Sequence, residues 1–147
     1  MIKGLAIATI WVLDPDRAKE FYTDKLGLEA RTDMRMGGED GMRWLTVGAA
    51  GQPDVEMALM VPGPPGMGPE EAEAMKRMVA KGTFGAGAFH TDDVYADYRM
   101  LTARGVEFVQ EPQERPYGTE AIIRDDSGNW ISLTQPTQEL DMSKDWG

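Results

Sequence analysis

His90 is the single histidine of the chain, and the sequence contains no cysteine. An imidazole titrates near neutral pH, so His90 is the first candidate for a group that transfers a proton or orients a ligand. A histidine just before a helix cap is more often exposed or held by a structural hydrogen bond, and that interpretation stands beside the functional one. One imidazole cannot provide the two or three that zinc and non-haem iron sites require. Any metal site within one chain would depend on carboxylates.

Length and charge narrow the class of protein. The 147 residues predict one domain, large enough to bury a core without disulfides. Twenty-five acidic against fifteen basic side chains give a net charge of −10, which repels phosphate backbones and anionic lipids. No signal peptide is recognisable, and no apolar run approaches the roughly 20 residues of a membrane span. We expect a cytoplasmic protein with neither nucleic acid nor membrane as a partner.

The first half predicts a β-α-β-β-β unit over about residues 3–61. Residues 3–13 are rich in β-branched side chains and predict a strand. The helix that follows is capped by Asp14, begins at Pro15 and ends at Gly27. Three further strands are predicted at 28–33, 42–49 and 54–61.

The second half predicts the same order over about residues 84–136. A Pro/Gly-rich linker and a short helix, about residues 62–83, separate it from the first half. A strand at 84–90 precedes a helix that Asp93 caps and Gly105 ends. Strands at 106–110, 118–124 and 130–135 complete the unit, and a tail spans residues 137–147.

The two helices show that the halves are related. Asp14 to Gly27 spans 27 − 14 = 13 positions, and Asp93 to Gly105 spans 105 − 93 = 12. The stretches KLGLEA and ARGVEF both place a basic residue shortly before a Gly-apolar-Glu sequence. The sequence therefore predicts an α+β domain of two β-α-β-β-β modules.

Three stretches carry a more specific pattern: LDPDRAKEFYTDKLGLE, FHTDDVYADYRMLTARGVEF and the ending GTEAIIRDDSGNWISLTQP. Together they resemble the vicinal oxygen chelate superfamily of glyoxalases, bleomycin-resistance proteins and ring-cleaving dioxygenases. The resemblance covers about residues 3–136. It implies a curved mixed sheet around a pocket, often within a homodimer whose pockets both chains share.

The resemblance also implies where a metal would bind. In the superfamily's metal enzymes, the first ligand of each module lies seven residues before the helix-initiating aspartate, at Ile7 and Ala86 here. The last lies just before a leucine of the closing strand, at Ala58 and Ser132. Alanine and isoleucine have no donor atom for an ion. We therefore expect no metal and no cofactor; a register slip of two residues would add only Glu56.

Alternation along the strands extends these four positions to a predicted pocket face. It combines indoles, a thioether, small residues and a few polar groups, which suits a planar or aromatic guest. The same indoles could instead pack in the core or at a dimer interface. The predicted lining comprises Ile7, Thr9, Trp11, Glu56, Ala58, Met60, Ala86, Ala88, His90, Trp130, Ser132 and Thr134.

Two loops and one carboxylate are further candidates. Glu56 could orient His90, although a glutamate facing solvent is the commoner case. Arg115 and Tyr117 lie in a predicted loop at 111–120 that could close over one end of the pocket. The glycines and methionines of residues 34–44 are typical of a mobile flap.

Three functions remain open. The first is a metal-free protein that binds a small hydrophobic or aromatic drug or metabolite. The second is a metal-independent lyase or isomerase in which His90 performs acid–base chemistry on a small carbonyl or phenolic substrate. The third and weakest is a metal-dependent lyase, isomerase or dioxygenase. The negative net charge favours neutral or cationic guests over anionic ones.

Overall fold

The computed structural model describes all 147 residues. The chain divides into two compact units, Met1–Lys81 and Gly82–Gly147. Each contains a four-stranded mixed sheet with its helix following the first strand, as the repeat predicts. The two strand orders, β1-β4-β3-β2 and β5-β8-β7-β6, are the same arrangement repeated.

Unit 1 begins with the predicted β-α-β-β-β order and ends with an added helix. Its sheet has one parallel pair, β1 with β4, and two antiparallel pairs. The elements are β1 (Ile7–Trp11), α1 (Pro15–Glu20), a π-helical continuation (Phe21–Lys25), β2 (Glu29–Met36), β3 (Met42–Gly48), β4 (Glu56–Met60) and α2 (Pro69–Ala80).

Unit 2 repeats that order without the added helix. Again the first and last strands pair in parallel, and the others pair antiparallel. The elements are β5 (Gly85–His90), α3 (Val94–Ala103), β6 (Phe108–Arg115), β7 (Gly118–Arg124) and β8 (Trp130–Pro136).

Both predicted helix caps are confirmed. The Asp14 carboxylate accepts hydrogen bonds from the backbone N–H groups of Asp16 and Arg17, at 3.0 and 3.2 Å. The Asp93 carboxylate accepts one from Ala96 N–H at 2.9 Å. These bonds satisfy backbone donors that lack a partner in the first turn of a helix.

The predicted helix ends are also confirmed by backbone conformation. Gly27 and Gly105 have φ angles of +77° and +79°. Only glycine adopts such values without steric cost, so these positions end the two helical segments in the same way.

Each unit has its own apolar core between helix and sheet. In unit 1, Ile10 and Val12 are buried, whereas Ile7 is 42% exposed. In unit 2, Ile131 and Leu133 of the closing strand are buried. The even positions of β1 therefore face the core, and its odd positions face away from it, as alternation requires.

Three strand predictions need correction. The first strand spans residues 7–11 rather than 3–13, and the second runs on to Met36 rather than ending at 33. The largest error is β6, which continues to Arg115, so residues 111–115 are strand rather than loop. Pro112 lies within β6, which is at the edge of its sheet, where a missing N–H is tolerated.

No helix of the structure is long and apolar enough to cross a membrane.

Candidate functional site

A cavity of about 500 Å³ opens in unit 1 beside the ends of β1 and β4. Its apolar side chains include Trp11, Leu59 and Met60, and its polar ones come from the β2–β3 hairpin. The segment directly after β4 closes another part of the wall. The lining consists of Trp11, Pro15, Arg35, Asp40, Gly41, Met42, Arg43, Leu59, Met60 and residues 61–66.

Two predicted binding residues meet in this cavity. Trp11 and Met60 are register partners in the parallel pair of β1 and β4, so their side chains lie on the same face of the sheet. Both are half-buried and both contribute to the lining. An indole beside a thioether is an apolar, polarisable surface that suits an aromatic guest.

The other predicted residues of unit 1 lie outside the cavity lining. Ile7 and Thr9 are exposed on β1, Glu56 is half-buried, and Ala58 is fully buried. Ile7 pairs with Glu56 and Thr9 with Ala58. The binding roles of these four residues stay predictions.

Part of the wall was not anticipated. The sequence predicts Val61 at the end of a strand and residues 62–66 as a linker, yet all six residues of Val-Pro-Gly-Pro-Pro-Gly line the cavity. Their position directly after a predicted pocket strand was the available signal. The hairpin residues fall within the predicted flap at 34–44, whose proposed mobility stays a prediction.

A charged network supports the hairpin side of the cavity. Arg43 makes two hydrogen bonds to the Asp33 carboxylate, at 2.9 and 3.0 Å, and one to Asp16 at 2.6 Å. Lys19 donates to the same Asp33 carboxylate at 2.8 Å. Hydrogen bonds from Arg43 and Lys19 hold the pKa of Asp33 well below its usual range, and Asp33 raises the pKa of Arg43. These contacts tie β2 and β3 to the helix α1.

Unit 2 carries a row of hydroxyl and carboxylate groups on β7 and β8. Ser132 Oγ donates to Glu120 Oε2 at 2.7 Å and lies 3.0 Å from Thr134 Oγ1. Because the Ser132 proton goes to the carboxylate, Thr134 acts as donor in the second bond. Burial, followed by a hydrogen bond to Glu120, raises the pKa of Tyr117. Glu120 therefore connects Tyr117, Ser132 and Thr134.

Glu120 was missed from the sequence. Its importance follows from the register of the β7–β8 pair, in which Glu120 lies opposite Thr134. The sequence predicts which residues lie opposite each other only when the exact residues of the connecting turn are known. The stretch DDSGN gave the position of that turn, so the signal was present but unused.

The predicted residues of β5 lie beside this row. Ala88 pairs with Ser132 and His90 with Thr134, and both Ala88 and His90 are exposed. Ala86 falls within a register shift between Gly85 and Ala88. Simple alternation therefore does not place Ala86 on the face of Ala88, and its binding role stays a prediction.

Trp130 covers the start of β5. A Cβ atom built on Gly85 would lie 2.5 Å from the Trp130 indole, so the ring packs directly on the glycine backbone. The side chain is nevertheless 40% exposed. Gly85 thus allows a half-exposed indole to lie flat on the sheet.

Arg115 and Tyr117 do not belong to a free loop, which corrects the prediction for residues 111–120. Arg115 is buried at the end of β6 and donates to Gln110 Oε1 at 3.0 Å. The Tyr117 ring packs against Trp146 of the C-terminal tail, with 6.0 Å between ring centroids. Lys144 of the tail forms an ion pair with Glu114 at 2.7 Å. The tail therefore folds back on the β6–β7 hairpin.

The glyoxalase/bleomycin resistance protein/dioxygenase superfamily model matches residues 4–133, which include nearly all of both modules. The chain belongs to this superfamily. The resemblance inferred from the sequence and the fold it implied are thereby confirmed.

Several known proteins are similar to this chain over nearly their whole length. The solved structure of UcmS2 is 50% identical, with a TM-score of 0.84, and the match covers 91% of this chain and 98% of UcmS2. TnmS3, an antibiotic binding protein from Streptomyces sp. CB03234, is 32% identical, with a TM-score of 0.71 and coverage of 92% and 98%. The uncharacterised protein YurT of Bacillus subtilis is 32% identical over 89% of this chain and 98% of its own length.

The divalent ion of the superfamily's metal enzymes does not fit the residues present here. Of the four implied ligand positions, Ile7, Ala58 and Ala86 have no donor atom, and Ser132 has only a hydroxyl already bonded to Glu120. No group of three or more His, Asp or Glu side chains is placed to hold a metal. Divalent ions require such donors at about 2.0–2.6 Å.

Proposed function

We propose that this superfamily member is a metal-free binding protein that sequesters a small hydrophobic or aromatic molecule, such as a drug or metabolite. The observation that carries the proposal is the pairing of Trp11 with Met60 in a cavity of about 500 Å³. Cavities of about 300–1,000 Å³ with mostly apolar walls are typical of small-molecule sites.

The donor set supports binding over metal catalysis. Lewis-acid chemistry requires an ion held in a fixed geometry, and the implied ligand positions offer at most one hydroxyl. Sequestration requires only apolar burial and aromatic contact. Each aromatic contact contributes about 0.5–1.5 kcal/mol in addition to the free energy of burying its apolar area. The cavity wall has these features.

Similarity to TnmS3 supports the class of ligand. That protein is an antibiotic binding protein, and its match extends over nearly the whole of both chains. We therefore propose that this chain binds an antibiotic-like aromatic compound and does not transform it.

Tryptophan fluorescence tests the proposal. The protein is titrated with planar polycyclic aromatic compounds of different charge, and the emission of wild type is compared with that of Trp11→Phe. We expect saturable quenching in wild type, and a smaller amplitude in Trp11→Phe because that variant lacks the indole in the cavity wall. The absence of saturable binding across the panel would contradict the proposal.

A metal-independent enzyme is the second candidate, favoured by the exposed position of His90 opposite Thr134 at the end of β5. In this alternative, His90 accepts a proton from a bound carbonyl or phenolic compound. Turnover that is lost in His90→Ala, with ligand affinity retained, would favour the enzyme over the binding protein. Only this alternative requires Glu56 to orient His90.

The proposal includes a homodimer, as the resemblance implies, and the cytoplasmic location expected from the sequence. Exposed apolar side chains such as Ile7 and Met34 provide surface that a second chain could cover. Sedimentation equilibrium distinguishes a dimer from a monomer of 16.2 kDa.

A further inference from the structure

Two arginines lie directly opposite each other on the hairpin side of the cavity. Arg35 of β2 pairs in register with Arg43 of β3, and both contribute to the lining. Like charges at directly opposed positions destabilise an antiparallel pair. Departures from such local rules are concentrated at functional sites, so the groups that compensate these two positive charges bear on function.

The positive charge of Arg43 is already compensated within the protein. Arg43 forms ion pairs with Asp33 and Asp16, and Lys19 forms one with Asp33. The network therefore contains two positive and two negative side chains. Arg43 therefore contributes structure to the cavity wall, with its guanidinium directed to these carboxylates.

Arg35 has no such compensation. Its one hydrogen bond runs from Nη1 to the carbonyl oxygen of Gly41, at 3.2 Å, and it forms no ion pair. A guanidinium has five N–H donors, so most of them remain available. Asp40, the single acidic residue of the lining, pairs with neither arginine.

The hairpin backbone helps to orient Arg35. A Cβ atom on Gly41 would lie 2.0 Å from the carbonyl oxygen of Met36, so the hairpin tip has no room for a side chain at this position. Because Gly41 also accepts the Arg35 hydrogen bond, the tight tip holds the guanidinium at the cavity.

We propose that the ligand is a planar aromatic compound with an anionic oxygen group, a carboxylate or phenolate, which Arg35 binds at the hairpin side of the cavity that Trp11 and Met60 also line. This inference rests on the proposed function and specifies its ligand class. Guanidinium groups match carboxylates with two parallel hydrogen bonds.

The net charge of −10 does not oppose this assignment at short range. Charges beyond about 8–10 Å are largely screened at physiological ionic strength, whereas a direct contact with Arg35, which is exposed, is screened only in part. The negative net charge therefore slows the approach of an anion more than it weakens the bound state.

A matched pair of ligands tests the inference by calorimetry: anthracene-2-carboxylate and its neutral carboxamide. We expect wild type to bind the carboxylate about two- to fivefold tighter, because Arg35 is exposed and its ion pair is partly screened. Arg35→Gln should abolish that preference and keep the carboxamide affinity, and Arg35→Lys should retain part of the preference. Arg99→Gln, an exposed control outside the cavity lining, should behave as wild type.

The outcomes separate the inference from the proposed function. Equal affinities of wild type for the two ligands would overturn the inference and leave the binding function standing. An equal loss of both affinities in Arg35→Gln would also overturn it, since Arg35 would then stack on the ring. If neither ligand binds wild type, the proposed aromatic site and the inference both fail.

Discussion

Trp11 and Met60 occupy paired positions at the ends of two parallel strands, and both residues line the cavity of unit 1. Their proximity follows from strand register, because parallel partners share a face. It provides the apolar surface of the proposed site.

Replacement of Trp11 by alanine should weaken the binding of an aromatic ligand by about tenfold or more, because both apolar contact area and ring stacking are lost. Isothermal titration calorimetry measures the effect. Trp146→Ala, which removes an indole from the C-terminal tail, is the matched control and should keep its affinity. Equal losses in the two variants would contradict the assignment of Trp11 to the site.

Asp33→Asn should lower the free energy of unfolding at pH 7 by about 1 kcal/mol, because the variant loses partly screened ion pairs with Arg43 and Lys19. The pKa of Asp33 is lowered in the folded state, so its stabilisation is complete above the unfolded-state value of about 3.9. It is lost as the pH falls from there toward the folded-state value. Urea unfolding should therefore show the difference between wild type and variant at pH 7 and a smaller one near pH 3.

Removal of the Trp146 side chain should lower the pKa of Tyr117. Burial is the main cause of its raised pKa, and Trp146 packs on the Tyr117 ring. Absorbance titration of the phenolate, with Tyr117→Phe subtracted to isolate this tyrosine, measures the change in Trp146→Ala. If that pKa stays where it is in wild type, the packing of the tail on Tyr117 is wrong.

Glu120→Gln should lower the pKa of Tyr117 by a separate route. The Glu120 carboxylate stabilises the protonated phenol by a hydrogen bond and repels the phenolate. Glutamine keeps the size of the side chain and removes its charge. The same absorbance titration detects the shift, with Glu111→Gln, whose partner is Tyr98, as the control that leaves Tyr117 unchanged.

Local signals predicted much of the fold. Asp14, Pro15 and Gly27 mark one helical segment, and Asp93 and Gly105 mark the other, because caps and positive-φ glycines act over only a few residues. The repeated strand order then followed from the pattern between them.

Features that depend on pairing were predicted less well. Residues 111–115 were predicted as loop but belong to β6, whose edge position tolerates Pro112. The register shift between Gly85 and Ala88 interrupts the alternation used to place Ala86. Both features belong to contacts between strands, which the residue types of one strand do not specify.

The candidate site was predicted in part. Alternation along β1 and β4 places Trp11 and Met60 on one face, and both line the cavity, while their binding role stays a prediction. The wall at residues 61–66 and the charge of Arg35 were missed, since both depend on how a linker and a hairpin tip fold over the sheet.

The central claim is that the protein binds an aromatic ligand without metal and without transforming it. Its most direct test is equilibrium dialysis of the protein against a compound that quenches its fluorescence, with and without excess chelator, followed by mass spectrometry of the recovered compound. We predict saturable binding that the chelator does not change, and a recovered compound of unaltered mass. Binding abolished by the chelator, or a compound recovered with a changed mass, would contradict the account.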